Sequence, residues 1–246
     1  MIGILSNQFG QLNIKVLLVC PYDLNHHGGV QNQVKLLKKG LINSGIESKI
    51  LGPGSFDYDI GRATKIPFNG SQNPITFFPV KKIINESLEW ADVIHVHEPF
   101  MPFFFWRLHT NKKIIVTHHA NIGSLLKVCL KFIYLFTKKK KLYSTVVSNE
   151  ALKNATALNK EISIIPNMIQ INENIKYINN DGYLFIGRDE KRKNLPLFIR
   201  LAEYYNSPSK FLAITNKIHS NKSVTFQLKP SEANKISLIT NVGIYI

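Results

Sequence analysis

Short apolar runs separated by stretches of helical period recur along this chain, and that alternation is the sequence signature of a parallel α/β sheet. Residues 15–20 (KVLLVC) read as a buried strand. Across 30–41 the apolar positions Val30, Val34, Leu37 and Leu41 share one helical face. A strand at 48–51 and a helix at 79–90 follow, the latter with Val80, Ile83, Ile84 and Leu88 inward and Lys81 and Lys82 outward. Strands at 93–96 (VIHV) and 114–117 (IIVT), a helix at 125–136, and strands at 145–148 and 162–165 continue the pattern to Pro166.

The polar, Asn-rich stretch 170–182 has linker chemistry. Beyond it the alternation restarts, with strands at 183–186, 211–215, 224–226 and 242–246. Helices are expected at 195–205 and at 231–238, the second with Ser231 as N-cap. The pattern stops on an apolar strand with no covering helix after it, so the second unit is expected to be incomplete. The expected organisation is therefore a Rossmann-like domain over 14–169, a linker over 170–182, and a partial second Rossmann-like domain over 183–246.

Charge narrows the function classes. With 31 basic and 16 acidic residues the net charge is +15, a field that favours phosphate-bearing partners: nucleic acid, anionic lipid headgroups or nucleotides. No nucleic-acid motif or aromatic–basic interleaving is present, so no nucleic-acid partner is expected. Solvated helix faces account for many of the lysines equally well. Two cysteines, Cys20 and Cys129, make no disulfide framework. No run of 18 apolar residues spans a membrane; a cytoplasmic location follows as the expectation.

Four segments carry residues suited to chemistry. Gly28 and Gly29 precede a helix, where backbone can approach an anion, although a plain tight turn explains them as well. Arg188 and Lys193, in the strand-to-helix segment 186–195, bring cations to another helix start; a solvated basic loop is the bland alternative. His95 and His97 share one face of a strand, and Thr117-His-His-Ala ends the next one, where α/β folds place their chemistry. Read alone, the histidines suggest zinc, but no cysteine or Asp-His pair completes a metal spacing, and no metal is expected.

Taken in order, VCPYD and GGVQ within 19–31, IPFNGS at 66–71, HVHEPF at 95–100, VTHHA at 116–120, IPNM at 165–168 and FIGRDEKRKN at 185–194 resemble glycosyltransferase family 4. Within that family they are similar to the phosphatidylinositol mannosyltransferase-like enzymes. The resemblance covers about residues 14–246, most fully in the first domain. It implies an α/β fold of the GT-B type and a retaining transfer of a hexose from a nucleotide-diphosphate sugar to a lipid or glycan acceptor, without metal or other cofactor.

The resemblance also implies roles. His119 and Glu190 stand as catalytic candidates, and Gly28, Gly29, Arg188 and Lys193 as donor diphosphate-binding residues. Tyr22, Gln31, Asn69, Gly70 and Ser71 belong to the acceptor side. Lys81, Lys82, Lys138, Lys139, Lys140 and Lys141 are candidates for peripheral contact with an anionic membrane, at its inner face. The family's two glutamates eight positions apart have no counterpart among the ten glutamates here, which reads as truncation. A non-catalytic lipid- or glycan-binding remnant, one half of a split enzyme and, remotely, a basic nucleic-acid-binding protein are the competing functions.

Overall fold

The structure is a computed structural model that describes residues 13–68, 71–99, 101, 105–120, 142–155, 161–169, 182–228, 234, 238–239 and 244–245. The chain divides into two compact units, Met1–Gln170 and Ile171–Ile246. The expected helices at 125–136 and 231–238, and nearly all of the linker, lie outside the described residues or almost wholly so, as does Cys129.

The first unit is built on seven parallel strands: β1 (Lys15–Val19), β2 (Glu47–Gly52), β3 (Tyr58–Asp59), β6 (Val93–His97), β7 (Lys113–His118), β8 (Leu142–Val146) and β9 (Ile162–Ile164). Their spatial order is β3-β2-β1-β6-β7-β8-β9. A β4–β5 hairpin (Thr64–Phe68 and Ser71–Ile75) stands apart from this sheet, antiparallel, and Tyr22 bridges to it at Ile75.

Strand alternation divides the core in two. Leu17, Val19, Ile94, Val96, Ile114 and Val116 pack with Ile84 and Leu88 of α2 (Lys81–Trp90). Leu18, Cys20 and Ile50 pack with Val34 of α1 (Gly29–Asn43). The buried Cys20 thiol is pushed up to about 12 by loss of solvent, so it is an inert core group. A short helix α3 (Asn149–Ala155) places Ala151 and Ala155 against Val146.

The second unit holds a parallel sheet in the order β12-β11-β10-β13: β10 (Tyr183–Ile186), β11 (Phe211–Thr215), β12 (Thr225–Leu228) and β13 (Ile244–Tyr245). Helix α4 (Leu195–Tyr205) starts with Pro196 in its first turn and buries Leu195, Phe198 and Ala202 against Phe185, Phe211 and Ala213. The Phe211 ring stacks on Tyr183 at 4.6 Å and meets Phe198 edge-on at 5.6 Å.

Two expectations need correction. The strand placed at 145–148 is Leu142–Val146, three residues earlier: Thr145 and Val146 pair with Thr117 and His118, and Val147 and Ser148 lie past the ladder. The hairpin and β3 were not expected from the sequence at all. Smaller shifts of one or two residues occur at other strand ends.

Candidate functional site

The carboxyl ends of β1, β6 and β7 are neighbours in the sheet, and the first unit's chemistry-bearing residues gather there. Register puts His95 and His97 of β6 opposite Ile115 and Thr117 of β7, and Thr117 opposite Thr145 of β8. These side chains lie on the face turned away from the α2 core.

They form a chain of contacts. His95 Nε2 is 2.7 Å from Thr117 Oγ1, which is 2.6 Å from Thr145 Oγ1; Thr145 in turn lies 3.2 Å from the Val116 carbonyl. His97 Nδ1 is 2.9 Å from His119 Nε2. The three rings stack, with centroids 4.5 Å apart for His95–His97 and 5.2 Å for His97–His119. His97 is 3% exposed, and its Nε2 has no hydrogen-bond partner among the described residues.

The main chain is held as firmly. Glu98, at φ 52°, ends β6, and its carboxylate accepts the His119 N–H at 2.8 Å and also that of Ala120. Gln33 on α1 clamps Met168 from both sides, donating to its carbonyl and accepting from its N–H, each at 2.7 Å. That clamp fixes the IPNM segment, and Asn167 within it hydrogen-bonds the His119 side chain. A cavity of about 480 Å³ is lined by Gln33, His95, His97, His119 and Asn167 together with apolar side chains such as Leu37 and Ile115.

Burial governs the protonation states. It lowers His95 and His119 to about 4 and His118 to about 3, and takes His97 well below its usual value. All four are neutral imidazoles near pH 7. Burial also raises Glu98 to about 7 against its two backbone hydrogen bonds.

The other sequence-derived residues fall as follows. Gly28 is the extended N-cap of α1, at φ −164°, and a Cβ there would meet only the flexible end of Gln31, while at Gly29 it would meet nothing. Neither glycine is required by a left-handed conformation. Tyr22 and Gln31 are buried beside this edge, with Gln31 donating to the Asp23 carbonyl at 3.3 Å. Ser71 belongs to β5. Asn69, Gly70 and Lys138–Lys141 lie outside the described residues. Lys81 and Lys82 are exposed in the first turn of α2, Lys82 with a loose ion pair to Glu86 at 3.8 Å.

In the second unit, Gly187 follows β10 where a Cβ would press on the Phe185 ring at 3.0 Å. Arg188 Nε lies 3.2 Å from Glu190 Oε1, so these two candidates form an ion pair. Asp189 is held by Asn216, which accepts its N–H at 2.6 Å, and its carboxylate lies 3.1 Å from His219 Nε2. Lys193 is exposed just before Asn194, whose left-handed φ of 55° turns the chain into α4.

Three residues of the first cluster were missed as site candidates. The HxH spacing flagged His97 only as a metal ligand, Glu98 needed its burial and positive φ to be seen, and Asn167 is 48 positions from His119. Among the described residues no three of His, Cys, Asp and Glu are arranged to hold a metal, and no helix is long and apolar enough to cross a membrane.

The chain is similar to known proteins over most of its length. The phosphatidyl-myo-inositol mannosyltransferase of Mycolicibacterium smegmatis is 29% identical over 210 residues, 76% of this chain and 54% of that protein. Its counterpart in Mycobacterium leprae is 26% identical over the same length, covering 56% of that protein. The chain thus spans a little over half the length of these relatives. Among solved structures, a glycosyltransferase of Rickettsia africae superposes with a TM-score of 0.58 at 16% identity, over 95% of this chain and 72% of that one. An α-glucosyltransferase solved with UDP and a modified DNA gives 0.59 at 11% identity, with the same coverages. These likenesses establish the fold as α/β of the GT-B type. The sequence model of Glycosyltransferase Family 4 matches residues 27–173, which run from the start of α1 through every histidine of the cluster to the IPNM segment, and the chain belongs to that family.

Proposed function

We propose that this chain transfers a hexose, with retention, from a nucleoside-diphosphate sugar to a lipid or glycan acceptor. The observation that carries the reading is the gathering of His97, His119, Asn167 and Gln33 around one cavity at the carboxyl ends of the parallel strands, with the uncapped start of α1 after β1, inside the segment matched by the family. The N-terminal amides of α1 begin at a glycine with no side-chain cap, and such free N–H groups favour a diphosphate. Arg188 and Lys193 are assigned, on the family resemblance alone, as cations for the charge that develops on the leaving diphosphate. In the transfer the acceptor oxygen bonds to the anomeric carbon as the bond to the diphosphate breaks, and the acceptor's proton leaves with that group.

His119 would stand near the transferred sugar as a neutral ring. Glu190, paired with Arg188, tempers the local positive charge, and in that arrangement it orients the guanidinium. Tyr22, Gln31, Asn69, Gly70 and Ser71 are assigned to the acceptor. No metal is required by this scheme.

Calorimetric titration with GDP and UDP, then with their hexose conjugates, tests the donor site. Micromolar binding is expected, weakened about tenfold or more in Lys193→Ala, the loss of one charge-assisted contact. Unchanged affinity in that variant would remove Lys193 from the site. Binding without turnover would favour the non-catalytic remnant.

A further inference from the structure

We propose that His97 is a positioning residue for His119: its Nδ1 holds the His119 ring in one orientation and keeps the His119 proton on Nδ1, facing Asn167. The proposal rests on the reading of His119 as the residue beside the transferred sugar.

The geometry leaves the His97 ring little freedom. Its Cβ is fixed by β6, with the residue in register with Thr117. The ring is sandwiched between His95 and His119, with interplanar angles of 25° and 28°. At 3% exposure it is a core side chain. Its Nε2 is buried with no partner among the described residues, which is costly. Had the position required only volume, a leucine would fill it without that penalty. The nitrogen that does have a partner, Nδ1 at 2.9 Å from His119 Nε2, is therefore the reason for an imidazole here.

The proposed hydrogens follow from one assignment, that of the Asn167 amide. Both rings are neutral, so each carries one N–H. The Asn167 side chain is the other hydrogen-bond partner of the His119 ring, and in the proposed arrangement its amide oxygen accepts from that ring. Nε2 faces His97, which leaves Nδ1–H as the donor to Asn167. His119 Nε2 is then a lone pair, and His97 must donate to it from Nδ1. The orphaned His97 Nε2 is consequently a bare acceptor rather than a buried N–H, the milder of the two faults. Glu98 anchors the His119 main chain through the 2.8 Å bond to its N–H. Ring and backbone of His119 are thus held independently, the preorganisation that a residue meeting a reacting sugar needs.

Three substitutions separate the two nitrogens. In His97→Asn the side-chain amide falls near the place of Nδ1, in His97→Gln near that of Nε2, and His97→Leu offers neither. Nitrogen-15 spectra of the histidine rings at neutral pH are expected to show His119 Nε2 unprotonated in the wild type and in His97→Asn. In His97→Gln and His97→Leu a mixture of tautomers is expected. Turnover of the nucleotide sugar is expected to lose about tenfold or more in kcat with little change in KM for the Gln and Leu variants, while Asn retains most of it.

Equal behaviour of all three would reduce His97 to packing and overturn the proposal. So would rescue by Gln rather than Asn, or a wild-type His119 protonated at Nε2. If the folded wild type turns over no nucleotide sugar, the functional reading above fails, while the ring spectra still decide the positioning of His119.

Discussion

Glu98 and the histidines around it have opposite pH signatures, and their signs can be worked out. Glu98 is 6% exposed, and burial raises it from the usual carboxylate range to about 7. A group raised in the folded state contributes stability that is fully present below its unfolded pKa of about 4.3 and is lost as pH rises through the folded value. The four histidines are lowered by burial. Their contribution is present above about 6.5 and disappears as pH falls toward 4. Four groups outweigh one, so the first unit is expected to lose stability on acidification. Glu98→Gln isolates the opposing component. Relative to wild type it should gain about 1.4 kcal/mol for each unit of pH between about 4.5 and 7, then level off. Urea unfolding of both proteins at several pH values measures this difference, and a pH-independent offset would show that Glu98 does not titrate as a buried acid.

At the scale of elements, α2 shows how a helix end can be completed from a distance. It has no basic residue in its own last turn. Lys112, just before β7, donates through Nζ to the carbonyls of Leu88 and Glu89 at 2.7 and 2.9 Å and also to that of Ala91. The ammonium satisfies orphan carbonyls and opposes the negative end of the helix dipole. Lys112→Met keeps the stem and removes the charge; it should cost about 1–2 kcal/mol in urea or thermal unfolding. A wild-type midpoint would mean that water replaces the ammonium without loss. Such a cap is invisible in the sequence, where Lys112 is one lysine of many. The elements with local signals were legible: α4 and β11 lie where expected, the former started by Pro196 and both lined by regular apolar positions. The β4–β5 hairpin was not, because Pro67, Gln72, Asn73 and Pro74 break the alternation that marks a strand. β8 was displaced because Leu142 and Tyr143 adjoin the lysine run at 138–141, and the apolar signal was read from its buried end alone. The cluster was legible to the extent that its residues sit at strand ends. His119 was picked out through resemblance, whereas Glu98 and Asn167 required the register of β6 and β7 and the Gln33 clamp to bring them in.

For the whole molecule, the question left by a net charge of +15 is whether any of it is placed for a partner. Several cations are consumed inside the fold: Lys112 caps α2, Lys35 donates to the Leu24 carbonyl at 2.9 Å, and Lys38 pairs with Asp57 at 2.6 Å. Lys81 and Lys82 differ. They stand at the amino end of α2, where the helix dipole disfavours cations, and the N-cap Val80 provides no side-chain cap. Beside them Phe78 is 88% exposed and Val80 is 45% exposed. From lysines at an unfavourable helix end, next to bare apolar groups, we propose contact with an anionic lipid surface, the lysines meeting headgroups and Phe78 the acyl boundary. Co-sedimentation with phosphatidylglycerol-containing vesicles is expected to show binding that falls as salt rises. Lys81→Gln with Lys82→Gln should weaken it by about 2 kcal/mol, or about thirtyfold, from about 1 kcal/mol per lysine. Lys210→Gln with Lys217→Gln, in the second unit, removes the same charge elsewhere and serves as the control. Equal losses in the two pairs would mean that the vesicles sense net charge alone. A loss confined to the α2 pair would identify that helix end as the membrane-facing surface, and adding Phe78→Ser should then deepen it even at salt concentrations where the lysines are screened.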